Sequence, residues 1–239
     1  MMYPVAILAG GLATRLRPIT ESIPKAMVPI NGTPFIDYQL HYLKHQGIEH
    51  VVLCLGYLGH IIENHVGTGN QYGLNITYSY DGNNYLGTGG ALIKALDLMD
   101  ENFFILYGDS FLPIQFKKIQ DVFLQTAYPA LMTIFKNRNQ GDNSNVRLIS
   151  SNLIEYNKKN PMPDMHYIDY GLSIVNKAIF KDKQAHTFLD LADIFMDLSL
   201  HHQLSGIEVD RPFYEIGTLE GINRTQKFLS NFPVTERVR

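Results

Sequence analysis

Apolar residues occur along the first half of the chain in short runs, separated by polar or glycine-containing segments. Three runs are almost continuously apolar, as expected for strands buried on both faces of a sheet: residues 5–9, 51–55 and 103–107. Residues 75–80 alternate and predict a further strand. Between the strands, helical spacing of apolar positions predicts helices over 34–46, 60–66 and 88–99. This alternation predicts an α/β fold with a mostly parallel sheet.

The second half of the chain is less regular, and its predicted elements are shorter. Strands are predicted over 130–135, 146–149, 153–156, 169–175, 206–209 and 213–216. Helices are predicted over 187–201 and 219–229. The sequence contains no internal repeat, low-complexity tract or obvious linker. Residues 1–239 are therefore expected to form one domain, with a subregion for a second substrate.

Composition narrows the classes of protein to which the chain can belong. The 239 residues carry a formal net charge of −3, which argues against a dedicated nucleic-acid-binding protein, because such proteins usually have a basic face. No apolar stretch approaches the ~20 residues of a membrane span. Since a strand begins almost at once, we expect no signal peptide and predict a cytoplasmic protein. The single cysteine, Cys54, lies in a predicted buried strand, and a disulfide within the chain is impossible.

The segment after the first strand combines glycines with local positive charge. Gly10 and Gly11 can turn sharply and point backbone N–H groups at phosphate oxygens. Arg15, Arg17 and Lys25 follow, within Leu-Ala-Gly-Gly-x-x-Thr-Arg-Leu and then Pro-Lys-x-Met-Val-Pro. The spacing is neither a Rossmann fingerprint nor a Walker A loop. The alternative interpretation is a solvated basic turn, but the ordered set predicts a phosphate cradle for a nucleoside triphosphate.

These motifs resemble those of the sugar-1-phosphate nucleotidyltransferases, and the resemblance extends over nearly the whole chain. It is greatest for the short bacterial members, which include guanylyltransferases for heptose or mannose 1-phosphate and uridylyltransferases for N-acetylmuramic acid 1-phosphate. The resemblance implies a Rossmann-like three-layer α/β sandwich, with a mostly parallel mixed sheet and a small sugar-binding subregion. It further implies that residues 1–130 mainly bind the nucleotide and residues 131–239 mainly bind the sugar phosphate.

The resemblance also assigns the nucleotide-binding residues. Arg15 would bind the leaving pyrophosphate, and Lys25 would contact the phosphates near the reacting phosphorus. The glycine-rich segment 86–91, which alone reads as a flexible loop entering a helix, would lie against the base and ribose. The expected nucleotide contacts are Leu8, Ala9, Gly10, Gly11, Arg15, Lys25, Gly87, Thr88 and Gly89.

A magnesium site is expected where the strand 103–107 ends. Asp109 follows that strand and Gly108, and a carboxylate at a strand end suits Mg²⁺. The family's second metal carboxylate comes late in the chain and is usually an aspartate. Here the matching residue is Glu215, which departs from that pattern, and Asp210 is the alternative.

The sugar phosphate is expected to bind residues of the second half. The family binds this phosphate with a lysine before a proline. The matching residue here is Lys158, with Lys159 as the alternative because the Glu-Lys-Pro pattern is not met cleanly. Asn145 and Asp169 could accept hydrogen bonds from sugar hydroxyls, and Gly171 would lie beside the sugar; for Asn145 and Asp169 the alternative is strand-end capping.

The predicted reaction is nucleotidyl transfer to a sugar 1-phosphate, with Arg15, Lys25, Asp109 and Lys158 as catalytic residues and Mg²⁺ as cofactor. The first choice of substrates is GTP with D-glycero-D-manno-heptose 1-phosphate or mannose 1-phosphate. The alternatives are UTP with a hexosamine or N-acetylmuramic acid 1-phosphate, or a cytidylyltransferase. A regulatory subunit that binds nucleotide sugars is the alternative outside catalysis. The expected partners are these substrates, with no nucleic acid or membrane; whether a second copy of the chain also binds is left open.

Overall fold

A computed structural model describes residues 1–137, 143–184 and 187–232. Its helices are α1 (Phe35–His45), α2 (Gly59–Val66), α3 (Gly87–Ala95), α4 (Phe116–Leu124), α5 (Leu191–Leu200) and α6 (Leu219–Asn231). Its strands are β1 (Val5–Leu8), β2 (Pro29–Ile30), β3 (Thr33–Pro34), β4 (His50–Leu55), β5 (Asn75–Tyr80), β6 (Asn102–Tyr107), β7 (Ser110–Phe111), β8 (Ala130–Lys136), β9 (Val146–Leu148), β10 (Ile154–Tyr156), β11 (Tyr167–Asn176), β12 (Leu204–Val209) and β13 (Tyr214–Glu215).

A nine-stranded mixed sheet runs through the molecule in the order β10-β9-β11-β6-β1-β4-β5, and β8 joins β11 to β12. Strands β6, β1, β4 and β5 are parallel to one another, whereas β11 is antiparallel to β6 and β8. The carboxyl ends of the four parallel strands therefore meet at one edge, where ligands of such sheets bind. The predicted mixed sheet is confirmed.

Helices cover both faces of this sheet, because successive residues of a buried strand point to opposite sides. Val5 and Ile7 of β1 belong to one hydrophobic cluster, which also contains residues of α1, α2, α4 and α6. Ala6 belongs to a second cluster, with residues of α3 and α5. The predicted three-layer α/β sandwich is thereby confirmed.

The structure departs from the sequence prediction at several elements. Helix α4 was not predicted, although its apolar residues Phe116, Ile119 and Phe123 follow helical spacing and are buried. Helix α5 begins at Leu191 rather than at 187, because the Asp190 carboxylate accepts a hydrogen bond from Ala192 N and caps it. The predicted helix over 88–99 ends at Ala95 and continues as a single 3₁₀ turn.

Both halves of the chain contribute strands to the one sheet, and the division near residue 130 stays a prediction. None of the helices in the described ranges is both long and apolar enough to cross a membrane.

Candidate active site

Two adjoining pockets open at the carboxyl edge of the parallel strands. The first pocket is lined by strand-end and loop residues, among them Ala9, Gly10, Gly11, Lys25, Asp81, Gly87, Tyr107 and Asp109. The second pocket is lined by residues of both halves, among them Arg15, Tyr107, Asp109, Asn145, Lys158, Asp169, Gly171 and Glu215. Tyr107 and Asp109 line both pockets, so two ligands would meet at these residues.

The glycine segment after β1 lies against the segment that follows β4. Ala9 N donates a hydrogen bond to Cys54 O over 2.9 Å, and Tyr57 N donates to Gly10 O over 3.4 Å. A Cβ atom at Gly10 would lie 3.0 Å from Gly56 N, so a side chain there would push the two segments apart. Gly11 has no atom within 4 Å of its Cβ direction and remains open to the first pocket, where Leu8 also lies.

Lys25 and Asp109 form an ion pair across the first pocket. Lys25 lies in a 3₁₀ turn at Lys25–Met27, and its Nζ is 2.9 Å from Asp109 Oδ2. The side chains keep 20% and 25% of their surface exposed, so both groups are accessible from the pocket. Ser110 Oγ donates a hydrogen bond to Asp109 Oδ1 over 3.1 Å. Two residues predicted separately from the sequence are therefore in direct contact.

Glu215 lies beside Asp109 because β13 pairs with β7 in antiparallel fashion. This pairing places Glu215 opposite Ser110, and Ile216 N donates a hydrogen bond to Asp109 O over 3.0 Å. Glu215 and Asp109 both line the second pocket, whereas the alternative Asp210 lines neither of the two pockets. The position of Glu215 therefore fits a shared role with Asp109 better than the position of Asp210 does.

Arg15 lies on the second pocket rather than the first. It belongs to a 3₁₀ turn at Thr14–Leu16 that follows the glycine segment. A Cβ atom at Gly217 would lie 3.3 Å from Arg15 Nη2 and 3.5 Å from Glu215 Oε1, so the guanidinium and this carboxylate flank the same glycine. Arg15 and Glu215 therefore line the second pocket together, whereas Asp81 and Gly87 line the first.

The two candidate phosphate lysines differ in their partners, although both line the second pocket. Lys159 forms an ion pair with Asp193 of α5. Lys158 lies close enough to Asp169 for its charge to lower the pKa of that carboxyl. Lys158 is therefore associated with the pocket interior, and Lys159 with the helix beside it.

Asp169 is a half-buried carboxylate held by local hydrogen bonds. Its Oδ1 accepts from Gly171 N over 2.9 Å, and its own N donates to Asn145 Oδ1 over 3.0 Å. Burial raises the pKa of Asp169 to about 6, against the opposing effects of the Gly171 N–H and the Lys158 charge. The register of β11 shifts between Asp169 and Ser173, where Gly171 has a φ of +103° that favours glycine. Both side chains thus bond to backbone, as the capping alternative expects, and both still line the second pocket.

The glycines of segment 86–91 pack closely against the chain before α5, and their expected role against the base and ribose stays a prediction. A Cβ atom at Gly87 would lie 2.6 Å from Leu189 O, and Gly89 N donates a hydrogen bond to that oxygen. Thr88 Oγ1 donates to Asp190 Oδ1 over 2.9 Å and accepts from Leu191 N. Gly87 and Thr88 line the first pocket, but Gly89 does not. Close packing against the chain before α5 is therefore enough to require glycines here, without a flat base against the backbone.

Asp81 and Tyr107 line the pockets although no sequence motif pointed to them. Asp81 directly follows β5 and is 8% exposed, and its Oδ2 accepts a long hydrogen bond of 3.4 Å from Leu86 N. Burial raises the pKa of Asp81, while the Leu86 N–H and the Lys94 charge lower it. Burial also raises the pKa of the Tyr107 phenol well above its ordinary value. Their positions in the sequence could have identified them, because both residues stand at the end of a predicted parallel strand.

Comparison with known proteins agrees with this geometry. The sequence model of a family described as nucleotidyl transferase matches residues 5–145. A D-glycero-alpha-D-manno-heptose 1-phosphate guanylyltransferase from Aneurinibacillus thermoaerophilus is 31% identical over 229 residues, which cover 95% of this chain and 98% of that protein. An N-acetylmuramate alpha-1-phosphate uridylyltransferase from Neisseria meningitidis is 37% identical over 111 residues, 46% of this chain and 48% of that protein.

Among solved structures, HddC from Yersinia pseudotuberculosis complexed with GMP-PN superposes with a TM-score of 0.80. It is 26% identical in sequence, and the match covers 95% of this chain and 100% of that one. Together with the family match and the full-length relative, this shows that the chain belongs to the nucleotidyl transferase family, and the predicted resemblance to sugar-1-phosphate nucleotidyltransferases is confirmed.

Proposed function

We propose that the protein transfers a guanylyl group from GTP to a manno-configured heptose 1-phosphate and releases pyrophosphate. The transfer of a nucleotidyl group to a sugar 1-phosphate follows from the family. The choice of GTP rests mainly on one observation, the buried Asp81 carboxylate in the first pocket. The similarity to a guanylyltransferase along almost the whole chain supports both the base and the sugar.

A buried carboxylate discriminates among bases by the pattern of donors that each base presents. Guanine has two adjacent donors on its Watson–Crick edge, N1–H and the N2 amino group, which the two oxygens of one carboxylate can accept together. Uracil presents a single N–H between two carbonyl oxygens, and these would repel a carboxylate. Adenine and cytosine place a ring acceptor beside their amino group. Because a site built around a hydrogen bond strongly rejects a ligand that cannot make it, Asp81 favours GTP.

The reaction itself makes modest chemical demands. An oxygen of the sugar 1-phosphate forms a bond to the α-phosphorus of GTP, and the bond from that phosphorus to the bridging oxygen of the β-phosphate breaks. Because a phosphate monoester has a second pKa of about 6, the attacking oxygen is already ionised near pH 7 and needs no general base. The enzyme must instead bring two anions together and stabilise the leaving group, which requires positioning and positive charge.

Three cationic side chains are proposed to meet these demands. Lys25 would contact the α-phosphate at the junction of the two pockets, and Arg15 would bind the departing pyrophosphate. Lys158 would hold the phosphate of the sugar 1-phosphate in the second pocket. Each of these side chains lines the pocket in which its ligand would bind, except that Arg15 reaches the triphosphate from the second pocket.

Mg²⁺ is the proposed cofactor, held by Asp109 and Glu215. Both ligands are carboxylates on the same pocket, and such hard oxygen donors suit Mg²⁺, which is commonly bound by one or two carboxylates plus substrate phosphates. Within the described part of the chain, no group of three or more His, Cys, Asp or Glu could hold a metal. Phosphate oxygens would therefore complete the coordination. When bound, Mg²⁺ would neutralise charge on the phosphates.

A second candidate is uridylyl transfer to N-acetylmuramic acid 1-phosphate, which is supported by the similarity to the Neisseria enzyme along 46% of the chain. One experiment separates the two candidates. Purified protein is incubated with Mg²⁺, each of the four nucleoside triphosphates and a panel of sugar 1-phosphates, and pyrophosphate release is measured. We expect release with GTP and D-glycero-D-manno-heptose 1-phosphate. Release with UTP and N-acetylmuramic acid 1-phosphate, but not with GTP, would replace the proposal with the second candidate.

A further inference from the structure

The side chain of Gln39, on α1, is buried beneath the segment that carries Asp109. Gln39 is 2% exposed. Its Nε2 donates one hydrogen bond to Tyr107 O over 2.9 Å and another to Ser110 O over 2.8 Å. These carbonyl groups flank the two residues Gly108 and Asp109. Both N–H groups of a single amide therefore hold the two sides of the turn between β6 and β7.

The amide oxygen of Gln39 accepts no hydrogen bond within the described part of the chain, although it is buried. Rotating the amide by half a turn would place this oxygen against two carbonyl oxygens, so the two contacts fix the amide orientation. Leaving a buried acceptor without a partner costs free energy. The protein thus tolerates an unpaired oxygen at a position where both amide hydrogens hold the turn.

Two further backbone groups of this turn also form hydrogen bonds. Gly108 N donates a hydrogen bond to Leu8 O of β1 over 2.9 Å, and Ile216 N donates to Asp109 O over 3.0 Å. With the two Gln39 contacts, the turn is fixed from β1, from β13 and from α1. The Asp109 carboxylate itself remains available, in contact with Lys25 and Ser110.

Gln39 belongs to a polar stripe along α1 that bonds to the chain following β6. Tyr42 OH donates to Ile114 O over 3.0 Å, and Phe116 N donates to Gln46 Oε1 over 3.0 Å. The positions 39, 42 and 46 lie on one face of a helix. The same helix also contacts the turn that carries Lys25. Helix α1 therefore supports both members of the Lys25–Asp109 pair.

We propose that Gln39 is a positioning residue for the transfer reaction: its amide holds the Gly108–Asp109 turn so that the Asp109 carboxylate meets Lys25 and the metal-bound phosphates. This inference rests on the proposed role of Asp109. Residues that orient a metal carboxylate through hydrogen bonds typically change activity or metal affinity by 10–100-fold when they are replaced.

The test compares Gln39→Met with a matched variant, Gln120→Met. Gln120 is a second buried glutamine, whose amide accepts from Tyr3 N and donates to Met1 O, far from the site along the chain. Methionine keeps the length of glutamine and removes its hydrogen bonds in both variants. The measurements are kcat, the KM for sugar 1-phosphate, the Mg²⁺ concentration for half-maximal rate, and amide hydrogen exchange by mass spectrometry.

We expect Gln39→Met to lower kcat by about 10–100-fold and to raise the Mg²⁺ requirement about tenfold. The KM for sugar 1-phosphate should stay within about twofold, because the hydrogen bonds of the Gln39 amide go to Tyr107 O and Ser110 O and not to Lys158 or Asp169. Hydrogen exchange should increase around residues 108–111 in this variant, and only near the N-terminus in Gln120→Met. Equal changes in kcat and Mg²⁺ requirement in the two variants would overturn the inference.

Two outcomes of this test call for a further variant or measurement: a Gln39 variant that does not fold, and a wild-type protein without activity. If Gln39→Met does not fold, Gln39→Leu removes the same two hydrogen bonds with a smaller apolar side chain and places no oxygen against the two carbonyl groups, with the same expectation. If the wild-type protein releases no pyrophosphate with any substrate pair, the proposed function fails, and hydrogen exchange alone decides the structural part of the inference. Unchanged exchange around residues 108–111 in the Gln39 variant would then overturn it.

Discussion

At the scale of single residues, the most informative feature of the site is the ion pair between Lys25 and Asp109. Lys25 Nζ and Asp109 Oδ2 are 2.9 Å apart, yet 20% of the Lys25 side chain and 25% of the Asp109 side chain remain exposed to solvent. An ion pair this accessible contributes little to stability, typically ~0–1 kcal/mol. Its position at the junction of two pockets is better explained by chemistry, because a phosphate group and a cation can each replace one partner of the pair.

Asp169 provides a prediction about pH. Burial raises its pKa to about 6, above the ordinary value of 3.8, so the folded state binds a proton more tightly than the unfolded state does. This carboxyl therefore lowers the free energy of unfolding as the pH rises from about 4 to 6, and the full cost is present above pH 6. Asp169→Asn removes the charge and keeps an acceptor for Gly171 N.

We expect Asp169→Asn to be more stable than the wild type at pH 8, by roughly 1–3 kcal/mol. The difference should shrink steadily below pH 6. Urea unfolding at several pH values between 4 and 8 measures it, with the exposed Asp97→Asn as a control for the general change in charge. A variant that is less stable than the wild type at pH 8, or a difference that does not change with pH, would contradict this account.

At the scale of elements, α5 connects the two pockets. Asp190, which caps this helix, accepts a hydrogen bond from Thr88 at the start of α3. Further along α5, Asp193 pairs with Lys159, and Ser199 Oγ bonds to the backbone of Tyr156 in β10. The helix thus contacts the loop of the first pocket at its start and the strand before Lys158 along its length.

Thr88→Val tests the link between α3 and α5. The substitution keeps the shape of the side chain but removes the contacts with Asp190 and Leu191 N, so we expect a loss of about 1–2 kcal/mol in stability. Because Gly87 and Thr88 line the first pocket, the KM for the triphosphate should rise, with kcat little changed. Urea unfolding and steady-state kinetics measure both effects.

Thr133→Val is the matched control for this change. Thr133 is fully buried in β8, and its hydroxyl donates to Leu172 O over 2.7 Å, away from the first pocket. The Thr133→Val variant should lose about as much stability as Thr88→Val, and its KM for the triphosphate should stay at the wild-type value. An equal rise of KM in both variants would assign the effect to general destabilisation and not to the link.

The sequence predicted the parallel strands well, because a strand buried on both faces must be continuously apolar, as at 51–55 and 103–107. It did not predict α4, whose buried residues Phe116, Ile119 and Phe123 are separated by charged and polar residues in a helix of three turns at most. The site residues Asp109 and Glu215 were expected from motifs, and their proximity depends on the pairing of β7 with β13.

Other parts of the site could not be predicted from the sequence for a physical reason. Gln39 contacts carbonyl groups 68 and 71 residues further along the chain, and no local pattern distinguishes it from the other polar positions of α1. The role of Gly87 in packing depends on Leu189, about a hundred residues away. Such contacts are set by tertiary structure, whereas strand-end positions follow from the order of elements.

At the scale of the whole molecule, the cleft is divided into two adjoining pockets. The first pocket lies at the ends of the parallel strands of the first half, and the second pocket adds residues of the second half. The two pockets share Tyr107 and Asp109 at their junction. In the proposed reaction, the base is read at Asp81 and the sugar phosphate is held at Lys158, while the bond changes occur between them.

The most direct test of this account is the ratio of kcat/KM for GTP to kcat/KM for UTP, measured with D-glycero-D-manno-heptose 1-phosphate in the wild type and in Asp81→Asn. The asparagine keeps the size of the side chain but offers one acceptor oxygen and one amino group, so it no longer matches the two donors of guanine. Asp97→Asn serves as the control, because it removes one negative charge at an exposed position.

We predict that the wild type and Asp97→Asn prefer GTP, and that Asp81→Asn lowers the ratio at least tenfold, mainly through loss of activity with GTP. That tenfold change corresponds to about 1.4 kcal/mol of discrimination in the transition state. A wild-type protein that prefers UTP, or an Asp81→Asn variant with an unchanged ratio, would contradict the proposal that Asp81 selects guanine.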